Sequence, residues 1–298
     1  MRLASLTIAA TLAAPGFLGA ADLPRAAHVI VIGLDGFGTG GIQRDPTPNI
    51  HSLMKRGAWT IHARGVMPTV SAPNWASMVM GAGPEQHGIT SNEWRRDKFT
   101  IAPVCKGPDA QFPTVFSILR AQRPASKIAI FHDWDGFADF VERGIPTKIQ
   151  HVKGSPETVD AGLKYWAAEK PELLFLHLDE VDDAGHGHGW LSPEFDSAVA
   201  QADNLVGDVV AAVAKSGNEA DTLIIVTADH GGVERKHGGL SMTELEIPWI
   251  AVGPGVRAGA EIVSAVNTYD TAATIASVLG VEAPACWIGR PVGGAFRP

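Results

Sequence analysis

Four short apolar runs, each closing on an acidic residue or a histidine, constrain this chain more than any other feature. His28-Val-Ile-Val-Ile-Gly-Leu34 ends at Asp35-Gly36, and Lys127-Ile-Ala-Ile-Phe131 ends at His132-Asp133. Leu173-Leu-Phe-Leu-His-Leu178 ends at Asp179, and Thr222-Leu-Ile-Ile-Val-Thr227 ends at Ala228-Asp229-His230. Continuous β-branched runs of this length suit strands covered on both faces. A fifth, Pro248-Trp-Ile-Ala-Val252, follows the same pattern. Helical periodicity falls between them. Thr47-Pro48 opens one helix that stops at Gly57, Thr114 to Gln122 forms another, and Asp270 to Gly280 a third. Ser192-Pro193 opens the longest, with Phe195, Val199, Ala202, Leu205, Val206, Val209, Val210 and Val213 recurring at three and four. The alternation predicts an α/β fold, a three-layer αβα sandwich with a mostly parallel central sheet. Ligands of such sheets bind beyond the carboxyl ends of the strands, where the acidic residues and histidines collect here.

Residues 89–112 break this rhythm. The stretch is polar, carries Trp94, Arg95, Arg96 and Lys98, and reads as a long loop or hairpin near the site. With no repeat and no linker, 22–298 reads as one domain. Residues 1–21 read as a secretory signal: Arg2, an apolar stretch from Leu6 to Leu18, then Gly19-Ala20-Ala21 at the cleavage position. The expectation is an exported protein, periplasmic or extracellular, without stable membrane insertion after cleavage. The two cysteines, Cys105 and Cys286, are free to pair in such a compartment, and sequence leaves that pairing open. A formal net charge of −8 with no basic run argues against a nucleic acid polymer as partner.

Met67-Pro-Thr-Val-Ser-Ala-Pro-Asn-Trp75 leads into a helical segment that stops at Gly81. Ser71 falls just before the helix start, with Pro73 in the first turn, where its missing N–H costs nothing. A hydroxyl among free backbone N–H groups at a helix N-terminus suits attack on a phosphoryl group, although a serine there is also an ordinary N-cap. Further along, Asp182 and His186 stand four residues apart, followed by Gly187-His188-Gly189, and Asp229-His230-Gly-Gly232 is followed by His237-Gly-Gly239. With Asp35, these offer three carboxylates, three imidazoles and one hydroxyl. That mixed oxygen and nitrogen set suits zinc, and its size suits two ions better than one. His188 competes with His186, and Asp179 and Asp183 with Asp182. His87 reads as structural, and His28, His51, His62, His132, His151 and His177 as solvated or packing residues.

Taken in order, Ile32-Gly-Leu-Asp-Gly36, Pro68-Thr-Val-Ser-Ala-Pro-Asn74, Pro84-Glu-Gln-His-Gly-Ile89, Asp182-x-x-Gly-His186, Asp229-His-Gly-Gly232 and His237-Gly resemble the alkaline phosphatase superfamily, in particular its nucleotide pyrophosphatase/phosphodiesterase branch. The resemblance covers nearly the whole mature chain and implies an alkaline phosphatase-like fold. It implies that Asp35, Ser71, Asp229 and His230 hold one divalent ion, zinc in first place, and that Asp182, His186 and His237 hold a second. It further implies Ser71 as nucleophile, a seryl-phosphate intermediate, and Asn74 against a phosphoryl oxygen beside the N–H groups near Ala72. The substrate is then a small phosphate ester. Ser stands where that branch usually has Thr, and the chain is short for the branch. A sulfatase needs a basic residue after the Ser/Cys and Pro, but Asn74 and Trp75 stand there. A phosphomonoesterase would need a cation for the extra charge, for which Arg95 and Arg96 are the candidates. A phosphonate hydrolase with the same site, and an exported metal-binding protein without turnover, complete the alternatives. Trp75 and Trp94 are candidates to stack an aromatic leaving group.

Overall fold

The structure is a computed structural model that describes residues 23–44, 47–98 and 100–298. The proposed signal at 1–21 lies outside the described residues. Eight strands form one sheet: β1 His28–Leu34, β2 Ala58–Arg64, β3 Ile128–His132, β4 Lys148–His151, β5 Leu173–Leu178, β6 Thr222–Ala228, β7 Glu246–Val252 and β8 Ala260–Glu261. Their order across the sheet is β4-β3-β5-β1-β6-β7-β2-β8. All pairings are parallel except those of β7, which runs antiparallel to both β6 and β2. Among the described residues ten α-helices accompany it: α1 Thr39–Arg44, α2 Pro48–Arg56, α3 Ser71–Met80, α4 Pro84–His87, α5 Val115–Gln122, α6 Ser155–Glu169, α7 Glu180–His188, α8 Pro193–Lys215, α9 Met242–Leu245 and α10 Asp270–Leu279. The fold is the mostly parallel α/β architecture expected.

The central strands β5, β1 and β6 are the apolar runs of the sequence, buried along almost their whole length. Each Val, Leu or Ile so covered contributes roughly 1.5–3 kcal/mol. The register of β1 against β5 sets Gly33 beside His177, and that against β6 sets Leu34 beside Ala228. Asp35, Asp179 and Asp229 therefore leave the sheet side by side at the carboxyl ends of three neighbouring strands. Helix caps follow the sequence signals. Ser192 and Thr114 each accept a backbone N–H from the third helical residue of α8 and α5, and Gly81 and Gly280 close α3 and α10 in the left-handed region. Two strands and one long helix, β2, β4 and α6, lie where the residues carry no clear period. Cys105 and Cys286 are joined by a disulfide that ties the 89–112 loop to the C-terminal segment.

Candidate metal centre

Asp35 is fixed by its neighbours. Its Oδ2 accepts from Trp75 Nε1 at 2.9 Å and from His177 Nε2 at 3.1 Å, while its Oδ1, buried, has no hydrogen-bond partner. Trp75 reaches it by passing under Gly33, where a Cβ would stand 2.5 Å from the indole. Gly36, the next residue after Asp35, turns with φ +68° and lies so close to Asp182 that a Cβ would come within 2.8 Å of its Cα. Glycine at these two positions lets Trp75 and Asp182 close on Asp35.

Asp229 and His230 follow β6. Asp229 Oδ1 accepts the N–H of Gly36 at 3.1 Å and of His230 at 2.8 Å, and its Oδ2 is buried without a partner. His230 donates from Nδ1 to Gly231 O at 3.0 Å, which directs Nε2 inward. That Nε2 stands 3.2 Å from Asp229 Oδ2, 3.4 Å from Asp35 Oδ1 and 3.4 Å from Ser71 Oγ. Asp35, Asp229 and His230 thus offer ligand atoms within one coordination shell, with the Ser71 hydroxyl at its edge. Ser71 is the first residue of α3, and Val70, in extended conformation, takes the N-cap position assigned to the serine by sequence.

A second set adjoins the first. Asp182 and His186 stand one turn apart on α7 with His186 Nε2 3.3 Å from Asp182 Oδ2, and His237 Nε2 is 3.8 Å from Asp182 Oδ1. Asp182 Oδ1 is again buried and unpartnered. Both imidazoles donate from Nδ1 to backbone carbonyls, His186 to Arg235 at 3.1 Å and His237 to Thr69 at 2.9 Å. The His230 and His237 rings stack at 3.9 Å, which joins the two sets. His188, its Nδ1 3.9 Å from Glu194, and Asp183 are exposed and stay outside. Asp179 groups with Asp35 and His177.

Three carboxylates so close strain one another. Burial first, then the charges of Asp35 and Asp182, push the Asp229 carboxyl well above its usual range. Burial, Asp35, Asp182 and Asp183 push Asp179 up to about 10. Asp35 goes the other way, because hydrogen bonding and charge from His177 and His230 outweigh a burial effect that alone would raise it. Burial holds His230 low, and the hydrogen bond to Asp182 raises His186 to about 9. Buried carboxylates with vacant lone pairs, facing imidazole Nε2 atoms whose other nitrogens are tied to carbonyls, fit divalent cations with nitrogen and oxygen ligands.

Several residues depart from expectation. The Asn74 side chain is fully buried and committed to the backbone. Its Nδ2 is within 2.9–3.3 Å of the carbonyls of Val66, Pro68 and Val70, and its Oδ1 accepts the Val66 N–H. It shapes the turn into α3, its polar atoms turned to the backbone of 66–70. The Ala72 N–H is taken as well, by Asn92 Oδ1 at 2.8 Å. That bond orients the Asn92 amide beside Ser71 and leaves its Nδ2 uncommitted among the described residues. Asn92 lies in the aperiodic 89–112 loop, where no signal in the sequence singled it out. His177, read as packing, braces Asp35. Trp75 does the same and, like Trp94, is buried rather than presented for stacking. Arg95 binds the carbonyls of Asn92 and Trp94, and Arg96 those of Ala138 and Val141. His87 is structural as expected, buried against Ser77.

The sheet and its helices form an alkaline phosphatase-like fold. An alkaline phosphatase variant superposes with a TM-score of 0.77 at 12% identity, covering 92% of this chain and 100% of its own. Residues 29–245 match the profile of type I phosphodiesterase / nucleotide pyrophosphatase, and the chain belongs to that family. Mouse ectonucleotide pyrophosphatase/phosphodiesterase family member 3 is 30% identical over 229 residues, 73% of this chain and 25% of its own length. An inactive variant of murine ectonucleotide pyrophosphatase/phosphodiesterase 5, in complex with AMP, superposes with a TM-score of 0.71 at 19% identity, covering 86% of this chain and 96% of that one. The chain thus spans about a quarter of the length of the mouse family member 3.

Proposed function

We propose that this protein hydrolyses small phosphodiesters of the nucleotide pyrophosphatase kind, with Ser71 as nucleophile. Asp35, Ser71, Asp229 and His230 would hold one divalent cation, and Asp182, His186 and His237 a second, zinc in first place for both. The observation that carries the reading is the convergence of Ser71 Oγ on His230 Nε2 at 3.4 Å beside the unpartnered oxygens of Asp35 and Asp229. Bound there, the cations would favour the alkoxide form of the attacking hydroxyl and offset charge on the phosphoryl oxygens.

Ser71 Oγ attacks phosphorus from the N-terminus of α3. A bond from phosphorus to Ser71 Oγ forms as the bond to the departing alcohol oxygen breaks, and the Ser71 proton passes through solvent to that alcohol. Water then attacks the seryl-phosphate, its oxygen bonds to phosphorus as the bond to Ser71 Oγ breaks, a water proton returns to Ser71 Oγ through solvent, and a phosphomonoester leaves. The sum is diester plus water giving monoester plus alcohol. Asn92 Nδ2, aimed by the Ala72 N–H, steadies a non-bridging oxygen in place of the Asn74 role expected from sequence.

A diester is favoured because the two arginines near the loop, candidates for a monoester's extra charge, are held by backbone carbonyls. The AMP bound by the murine relative supports a nucleotide-derived substrate. The Cys105–Cys286 disulfide supports export into an oxidising compartment, periplasmic or extracellular, and no helix among the described residues is long and apolar enough to cross a membrane. The test compares an aromatic phosphodiester with its monoester on zinc-loaded protein, with Ser71→Ala as control. Diester preference abolished in the variant is expected. Monoester preference moves the protein to a phosphatase, and turnover that survives Ser71→Ala overturns the nucleophile.

A further inference from the structure

We infer that Trp190 is a positioning residue for the second set of ligands, Asp182, His186 and His237; the inference rests on the two-cation reading above. The first set leaves buried strand ends and is braced by Trp75 and His177. The second lacks such support. His186 sits on the last turn of α7 with its side chain 46% exposed, tied at Nδ1 to the Arg235 carbonyl. His237 comes from the loop after β6.

Trp190 touches every piece that has to meet there. After α7 the chain reverses at Gly189, with φ +106°, and the indole folds back against the helix it has just left. Its ring packs edge-on to His186 at 5.3 Å and to His237 at 6.1 Å. Its Nε1 donates to Gly36 O at 2.9 Å, the turn that follows Asp35, and its backbone N–H donates to Glu234 O at 2.7 Å in the loop that carries His237. The space is kept by two residues without Cβ atoms. A Cβ on Gly185 would lie 2.7 Å from the indole, and one on Gly232 would lie 2.2 Å from it. One side chain therefore sets the spacing of α7, the 231–237 loop and the Asp35 turn. Such outer support is worth 10–100-fold in metal affinity where it orients a ligating histidine.

The test is zinc binding by the purified chain, dialysed against graded free zinc, for the wild type, Trp190→Ala and Trp190→Phe. The wild type is expected to hold two equivalents. Trp190→Ala is expected to keep one at unchanged affinity and to bind the other at least tenfold more weakly. Trp190→Phe, which keeps a ring but loses the N–H to Gly36, is expected to fall between, with the loss confined to the same ion. Thermal unfolding of each metal-free variant reports whether it folds, and if Trp190→Ala does not, Trp190→Phe decides alone. Two equivalents bound by the variants within threefold of the wild-type affinities overturn the role of Trp190. So does equal weakening of both ions, which marks a general packing residue. A wild type that binds fewer than two ions overturns the two-cation reading itself, before any substitution is considered.

Discussion

The indole N–H of Trp75 holds Asp35 by one carboxylate oxygen, Oδ2, at 2.9 Å, and the other oxygen is thereby turned into the site without a partner. A bulky core residue at the fifth position of α3 thus aims, by a direct hydrogen bond, a ligand just past the end of β1, through the gap that Gly33 leaves. Trp75→Phe fills nearly the same volume but cannot donate. Zinc titration is expected to show affinity at the Asp35 set reduced about 10–100-fold, with a smaller loss of stability. Unchanged affinity would mean that His177 alone orients the carboxylate.

Asn74 and Asn92 separate support from chemistry. Asn74→Ala removes an amide whose two N–H donors are shared among three carbonyls and whose oxygen accepts one N–H inside the protein, so unfolding free energy is expected to drop by about 3 kcal/mol. Asn92→Ala is expected to leave stability nearly intact and to lower kcat about 100-fold or more, the effect of removing one donor from a developing oxyanion. Denaturant titration and steady-state kinetics on both variants check this. The reverse pattern would return the phosphoryl contact to Asn74.

The disulfide closes a loop across a sequence separation of 181. Chain entropy sets its contribution at up to about 5 kcal/mol, and Cys105→Ser with Cys286→Ser is expected to lower Tm by several degrees or more. The same double variant should still bind zinc, since neither cysteine belongs to the ligand sets. Identical melting of the oxidised wild type and the double variant would show that the cross-link adds nothing to the folded state.

What the sequence disclosed and what it hid follow one physical division. β1 and β5 were legible to the residue because continuous burial on both faces leaves a run of apolar side chains. β4 escaped because its exposure alternates and Ile149 is its only apolar residue. α6 escaped because its buried positions include Ser155, Thr158 and Gly162, which carry no hydrophobic period. At the site, Asp35, Asp229 and His230 announced themselves by ending strands. His177 did not, since its approach to Asp35 depends on the parallel register of β1 against β5, a pairing between segments more than 140 residues apart. Asn92 stayed hidden because its loop carries no period, and the bond from the Ala72 N–H to its Oδ1 is made in the fold.

His87 gives the fold a dependence on pH that is separable from the metal ligands. It is fully buried, its Nδ1 accepts the Ile89 N–H at 3.1 Å, and its Nε2–H therefore donates to Ser77 Oγ at 2.9 Å. Burial lowers its pKa to about 3 from 6.5. Protonation would also break the bond from Ile89. Between those two values the unfolded chain takes up a proton that the folded chain refuses, so stability rises with pH across this window and is lost as pH falls from about 6.5 toward 3. At pH 5 the loss amounts to about 2 kcal/mol relative to pH 7.5. His87→Gln keeps a side chain able to bond Ser77 but cannot titrate. Urea unfolding at the two pH values is expected to give a difference smaller by that amount in the variant than in the wild type. Equal differences would mean that the imidazole titrates in the fold as it does in the unfolded chain, and the burial that braces α3 against α4 would have to be drawn otherwise.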